Sequence, residues 1–353
     1  MTSPRGRSTY AIVMAVLAAV LGVVITSSSV IPQSSPPVRQ VVSAADLAPL
    51  IFAGQQYVAL GSSYAAGPEL TTPPNPCQRA RDNYPHQVAH ALGMRLADVT
   101  CSGSRTAHIL RIPQRPLAAH RQIDAVTPDT RLVTITTGGN DIGYIGRLLA
   151  LGCLNATPGS LAPATAAACA RGRTVRPEPT AAGYTAVERS IVAIIDAVRM
   201  RAPRALVVVV DYLPVLGPHD RSCPGLALTS AEAAAARRVF DGLAAATARA
   251  ATNGGANLIP ASRLGRMHGV CSAAPWISGF GRGSASYHPN LAGKTALADA
   301  VLRLLRQPAI TAKALALSTV PLPATQLTPT PPTQTPPAQT PPTPTTIGPG
   351  PGR

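Results

Sequence analysis

Between residues 55 and 305, short apolar runs alternate with longer stretches of helical periodicity, and this alternation leaves few folds open. The runs at 57–60, 96–100, 132–136, 205–210 and 257–259 read as five short strands, the fourth apolar throughout. The stretches 85–92, 182–200, 230–251 and 291–305 read as helices. Pro85 suits a first turn, Ile191, Ile194, Ile195 and Val198 recur on one face, and Ser230 with Glu232 nearby is a capping signal. Strands and helices in alternation predict a parallel sheet with helices on both faces, and in such sheets functional sites lie at the carboxyl ends of the strands.

Outside this region the composition changes. Arg5 and Arg7 precede an unbroken apolar run at 11–25, followed by Thr26, Ser27, Ser28 and Ser29, the pattern of an export signal. As a helix the run would rise about 22 Å, short of a hydrocarbon core of about 30 Å, so 1–29 reads as a signal peptide, with an uncleaved anchor as the alternative. Residues 30–54 read as an exposed linker. The segment 311–353 reads as a disordered tail, rich in Pro, Thr and Gln beyond Val320 and suited to extended polyproline II.

Cys77, Cys101, Cys153, Cys169, Cys223 and Cys271 are an even number in a chain expected to be exported, which reads as three disulfides. Six cysteines allow 15 connectivities, and the short loops between neighbours make sequential pairing the simplest. No CxxC or Cys/His cluster competes as a zinc site. His86 and His90 are four apart on a predicted helix but lack the glutamate and third ligand of a metal clamp, so neither metal nor other cofactor is expected. The 31 basic against 15 acidic residues give a net charge of +16, which favours anionic surroundings such as envelope polymers or lipid head groups. The basic residues are scattered, with no basic run and few aromatics, so nucleic-acid binding is not expected.

Four polar stretches stand at the predicted strand ends or before the last helix. They are Gly61-Ser62-Ser63 after the first strand, Ser102-Gly103-Ser104 after the second, Gly138-Gly139-Asn140-Asp141 after the third, and His288-Pro289-Asn290 before the final helix. A nucleophilic serine needs a general base within hydrogen-bond reach and donors aimed at the developing oxyanion. Among these residues His288 can be the base for Ser63. The backbone amides of Ser63 and Gly103 and the side-chain amide of Asn140 can be the donors.

At these blocks the chain resembles the SGNH, or GDSL-like, hydrolases, especially their secreted, disulfide-bonded esterase and lipase branch from high-GC bacteria, over about residues 55–305. The resemblance implies a flavodoxin-like three-layer α/β/α fold around a five-stranded parallel sheet, with the hydrolase domain at 55–310. It further implies metal-free ester hydrolysis through a Ser63 acyl-enzyme, with His288 as base and Gly103 and Asn140 as oxyanion donors. A lipid or acyl-ester substrate, a monomer, and a secreted or envelope-associated location follow as expectations.

Two positions depart from the family pattern. The Asp that usually precedes the nucleophile is Ser62 here, which bears on loop geometry rather than on the attacking group. The usual triad acid, three residues before the His, is Ala285, and no Asp or Glu lies between Asp241 and Asp299. A backbone carbonyl in the 283–286 turn is therefore expected to orient His288, with Asp141 and Asp211 as bracing residues. Trp276, the only Trp, is expected in packing, and the 153–169 loop is expected to overhang the cleft. Two alternatives stay open: a non-catalytic envelope-binding protein on the same fold, and an O-acyltransferase or deacetylase of envelope glycans.

Overall fold

A computed structural model describes residues 44–68, 75–157, 159, 161–171, 174–219, 223–281 and 285–319. The expected export segment at 1–29 and the tail beyond 319 lie outside the described residues. The chain divides into units 1–42 and 43–353, and all described residues belong to the second.

Five strands, β1 (Gln56–Gly61), β2 (Arg95–Asp98), β3 (Thr130–Thr136), β4 (Leu206–Val210) and β5 (Asn257–Ile259), form one sheet in the order β2-β1-β3-β4-β5. Every pairing is parallel. Eleven described α-helices and one 3-10 helix (Gln122–Ala125) surround them: α1 (Ala44–Phe52), α2 (Ser63–Ala66), α3 (Tyr84–Leu92), α4 (Thr106–Leu110), α5 (Tyr144–Asn155), α6 (Pro163–Arg171), α7 (Ala181–Arg201), α8 (Ser230–Asn253), α9 (Ala261–Leu264), α10 (Leu291–Leu305) and α11 (Pro308–Thr319). The order makes the fold a flavodoxin-like three-layer α/β/α sandwich, as the resemblance implied. Its switch point, where successive connections leave toward opposite edges, falls between β1 and β3. A ligand crevice belongs beyond the carboxyl ends of those two strands, where Ser63 and Asn140 follow in the chain.

Burial explains which runs become central strands. All five residues of β4 are buried, as are 57–61 of β1, the near-continuous apolar pattern of a strand covered on both faces. On α7 the buried residues include Ile191, Ile194, Ile195 and Val198, the predicted stripe, and this helix packs along α8. Helices α1, α3, α10 and α11 form a second packed group.

Several boundaries differ from the sequence reading. Strand β2 ends at Asp98, whose carboxylate accepts the Thr100 amide at 3.0 Å and its hydroxyl at 2.6 Å in a local turn, although the Val99 and Cys101 amides still donate to the Ala59 and Gly61 carbonyls of β1. Helix α8 is capped by Thr229, not Ser230: Thr229 Oγ1 accepts the Glu232 amide, and Glu232 Oε2 accepts the Thr229 amide at 2.8 Å. The stretch between Cys153 and Cys169 is not a loop throughout, since Cys153 lies on α5 and Cys169 on α6. The bonds Cys77–Cys101, Cys153–Cys169 and Cys223–Cys271 follow the sequential pairing.

The linker and tail boundaries shift for one reason. Helix α1 lies within 30–54, but Ala48 and Phe52 are buried and the helix packs against α3 and α11. Helix α11 runs into the expected tail and buries Thr311 and Ala314. Each segment was short of local signals yet finds an apolar surface to cover. Phe52→Ala should accordingly destabilise the protein by about 3–5 kcal/mol, seen as a lower denaturant midpoint at unchanged slope. An unchanged midpoint would return 44–52 to the linker.

Candidate active site

Strand β1 leads into the Ser62-Ser63 block through a position that only glycine can fill. A Cβ on Gly61 would stand 2.5 Å from the carbonyl oxygen of Thr136, its register partner at the end of β3. The Ser62 amide then donates to the same Thr136 carbonyl at 2.9 Å, and the chain turns into α2 with Ser63 as its first residue. On the other side of Gly61, past the end of β2, the Cys101 amide still donates to the Gly61 carbonyl at 3.0 Å, and the buried Gln122 side chain completes the edge. Its Oε1 accepts the Gly61 amide at 2.7 Å, and its Nε2 donates to the Gly61 carbonyl at 3.0 Å and to Ser104 Oγ at 2.9 Å. One amide thus joins the first block to the second.

The second block is held by the Cys77–Cys101 bond and by the Ser102 amide, which donates to the Cys77 carbonyl at 3.0 Å. Gly103 sits at φ 78, the left-handed region that favours glycine. Asn140 bridges to this loop, its Nδ2 donating to the Ser104 carbonyl at 2.9 Å. The structure therefore brings Ser104, Asn140 and Gln122 into one network beside Ser63 and Gly103.

The third block depends on a residue the sequence reading did not single out. Tyr212 follows β4, is fully buried, and its hydroxyl accepts the Gly139 amide at 3.0 Å while sharing a 3.1 Å hydrogen bond with Ser62 Oγ. A Cβ on Gly139 would lie 2.8 Å from the Tyr212 ring, which explains the second glycine of Gly138-Gly139. The only sequence signal was a tyrosine at the carboxyl end of an apolar strand. Burial pushes the Tyr212 phenol up to about 12, so it stays neutral and free to donate. In this way Ser62, where the family has Asp, is connected to the third block by a neutral contact.

His288 reaches Ser63 from the segment before α10. Its Nε2 lies 2.7 Å from Ser63 Oγ, and its Nδ1 lies 2.9 Å from the Ser286 carbonyl oxygen. A carbonyl only accepts, so Nδ1 carries the proton and Nε2 offers its lone pair to the Ser63 hydroxyl. Burial of the ring lowers the imidazole pKa to about 4, with the Ser286 carbonyl pulling the other way. The acceptor falls within the expected 283–286 turn. Ala285, at the usual acid position, instead accepts the His288 amide through its carbonyl at 3.2 Å.

The carboxylates weighed from sequence are engaged elsewhere. Asp141 accepts the Thr106 hydroxyl at 2.7 Å and its amide at 3.1 and 3.2 Å. Asp211 is buried and accepts the amide and hydroxyl of Ser262, each at 2.7 Å; burial pushes its carboxyl up to about 6. His86 Nδ1 lies 2.8 Å from Asn83 Oδ1. Trp276 stacks on His268 with ring centroids 3.9 Å apart, a packing position.

A parallel sheet in this order, with a serine and a neutral imidazole paired at its switch point, defines a three-layer α/β/α hydrolase. The chain belongs to the GDSL-like Lipase/Acylhydrolase family, whose profile matches residues 59–296. It is 34% identical over 263 residues to Lipase 2 of Streptomyces coelicolor, covering 70% of this chain and 85% of that protein. To a lipase of Streptomyces rimosus it is 31% identical over 258 residues, covering 72% and 87%. The crystal structure of the extracellular lipase from Streptomyces rimosus matches 72% of this chain and all of its own, with a TM-score of 0.54 and 27% identity. Phospholipase A1 from Streptomyces albidoflavus, at 24% identity and a TM-score of 0.54, shares the fold over 72% of this chain.

Tyr212→Phe would leave the buried Gly139 amide without its acceptor. The variant should lose about 1–3 kcal/mol of stability, measured as a lower urea midpoint at unchanged slope. Wild-type stability in Tyr212→Phe would mean that the phenol hydroxyl does not hold the block.

Proposed function

We propose that this protein is an exported serine carboxylic-ester hydrolase, an esterase or lipase, that works through a Ser63 acyl-enzyme with a Ser-His dyad and no side-chain acid. The observation that carries the reading is the continuous chain of hydrogen bonds from Ser63 Oγ through both ring nitrogens of His288 to the Ser286 carbonyl. In the first half-reaction Ser63 Oγ attacks the ester carbonyl carbon and its proton passes to Nε2. The carbonyl oxygen becomes an oxyanion, received by the amides of Ser63 and Gly103 and the free hydrogen of Asn140 Nδ2. Collapse expels the alcohol, which takes the proton from Nε2. Water then attacks the acyl-enzyme by the same route, giving the acid and restoring Ser63.

A lipid or other acyl ester is the substrate class that the names of the relatives support, and export agrees with three disulfides and with the extracellular relative. The imidazolium formed in each step faces a carbonyl dipole instead of a carboxylate. Its stabilisation is correspondingly smaller, and more of the rate rests on the oxyanion donors and on positioning.

A serine-reactive fluorophosphonate should label the protein, and Ser63→Ala should abolish both labelling and hydrolysis of a panel of esters graded by chain length. Labelling without hydrolysis would favour transfer of the acyl group to another acceptor, and no labelling a binding role. Asn140→Ala should lower kcat by about 100–1,000 fold. His288→Ala should remove turnover, whereas Asp141→Asn and Asp211→Asn should keep kcat within about tenfold; a loss near 10,000-fold in either would assign that Asp the third role.

The pH dependence follows from the buried imidazole. The base works when neutral, and burial favours the neutral form down to about pH 4. The kcat/KM profile should therefore stay level from neutral pH through pH 5 and fall on an acid limb with a midpoint near 4. A midpoint near the ordinary histidine value of about 6.5 would contradict a desolvated base.

A further inference from the structure

We propose that the segment from Arg105 to Leu117 is a docking surface for an anionic lipid bilayer, seating the oxyanion end of the sheet on the membrane–water interface. Ile112 and Leu117 are apolar yet 53% and 39% exposed. They alternate with Arg111 and Arg115, both exposed, and Arg105, also exposed, stands at the start of α4. Between residues 99 and 123 the chain contains four arginines and no Asp or Glu. Among the described residues no ion pair involves Arg105, Arg111 or Arg115. Beside the loop a recess of about 410 Å³ is lined by Arg111, Arg189, Leu110 and Thr106.

Exposed aliphatic side chains interleaved with unpaired cations fit one kind of partner. Aliphatic tips enter the acyl boundary, while guanidinium groups remain with the phosphates. Each cation near an anionic leaflet adds to the attraction, which salt screens. A second copy of this chain is a poor occupant, because it carries the same net charge of +16. The loop is also fixed to the site. Gln114 Nε2 donates to the Ser102 carbonyl at 2.8 Å and would lie 3.6 Å from a Cβ on Gly103, so a membrane held at Ile112 and Leu117 lies beside the proposed oxyanion donors. That orientation rests on the ester reading; the docking itself does not.

The test places a tryptophan in the loop, as Ile112→Trp, in the full-length Ser63→Ala chain to prevent lipid turnover. Its emission is read as the difference from the parent, which has Trp276 alone. Vesicles of dibrominated phosphatidylcholine with one quarter phosphatidylglycerol should shift the added emission to the blue and quench it. Adding Arg111→Gln and Arg115→Gln should weaken that titration by about 10–30 fold. With Ser63 intact, the same two Arg substitutions should leave turnover of a soluble acetyl ester within about twofold, since neither side chain belongs to the proposed machinery. The apolar run at 11–25 can itself partition into vesicles, so the signal at residue 112 decides, not bulk co-sedimentation. Unchanged emission at 112, an equal titration in the Arg variants, or a blue shift that tracks protein concentration without vesicles would each overturn the proposal. Persistent ester turnover in the Ser63→Ala chain would instead count against the catalytic reading alone.

Discussion

The hydrogen bond from His288 Nδ1 to the Ser286 carbonyl decides what the rest of the site can be. It fixes the tautomer, turns Nε2 toward Ser63, and does so with a dipole in place of a charge. Holding a carbonyl two residues upstream of its own imidazole demands an unusual backbone between them, and Tyr287 supplies it at φ 62, a left-handed conformation costly for a residue with a Cβ. The surroundings hold that conformation from several directions. The Tyr64 hydroxyl donates to the Tyr287 carbonyl at 2.8 Å, the Tyr287 hydroxyl donates to the Leu226 carbonyl, and the Tyr287 amide and the His288 carbonyl bond to the backbone of Ser278. Tyr64 stands directly after Ser63, so the segment bearing the serine also grips the segment bearing the histidine.

Neutral groups perform work elsewhere given to carboxylates. Tyr212 binds Gly139 and Ser62, Gln122 binds Gly61 and Ser104, and Asn140 binds Ser104. In a buried site a satisfied amide or phenol costs far less than an ionised side chain, whose desolvation must be offset by a partner. The absence of a nearby anion is also why the imidazole is driven down to about 4: burial acts almost unopposed. A base of that strength accepts the serine proton less readily than an ordinary histidine. In the proposed mechanism the same burial would strengthen each fixed donor that meets the developing oxyanion.

How much of this could be read from the sequence depends on whether a signal is local. The apolar run of β4 and the stripe on α7 announce themselves, because burial on both faces or on one stripe writes a pattern a few residues long. The same holds for Ser63, Gly103, Asn140 and His288, each standing at a strand end or just before a helix cap. Tyr212 and Gln122 were illegible because their partners lie 73 and 61 residues away and nothing beside them marks a hydrogen bond. Helices α1 and α11 escaped for a related reason. Their neighbours in sequence are Ser- and Pro-rich, while the surface each one covers belongs to the rest of the domain. Thr229 and Ser230 are both good caps for α8 by sequence, and only the reciprocal bond with Glu232 chooses between them.

Asn140 illustrates why an amide suits its place in the proposed mechanism. Its NH2 group bears two hydrogens, and one is committed to the Ser104 carbonyl, which fixes the rotamer without consuming the group. In the proposed mechanism the other hydrogen is left for the oxyanion, so that little reorganisation would be needed when charge develops. An aspartate there would accept only and would repel an oxyanion. A glutamine would add a methylene and a further torsion to a side chain already confined between the second and third blocks. Because the Ser104 hydroxyl also takes the Gln122 amide, the aim of Asn140 is coupled through Ser104 and Gln122 to Gly61, and thus to the strand that positions Ser63. Ser63 and Asn140 are thus tied to one another through backbone and neutral side chains, with the Asp141 carboxylate on Thr106 and the Cys77–Cys101 bond bracing the loops beside them.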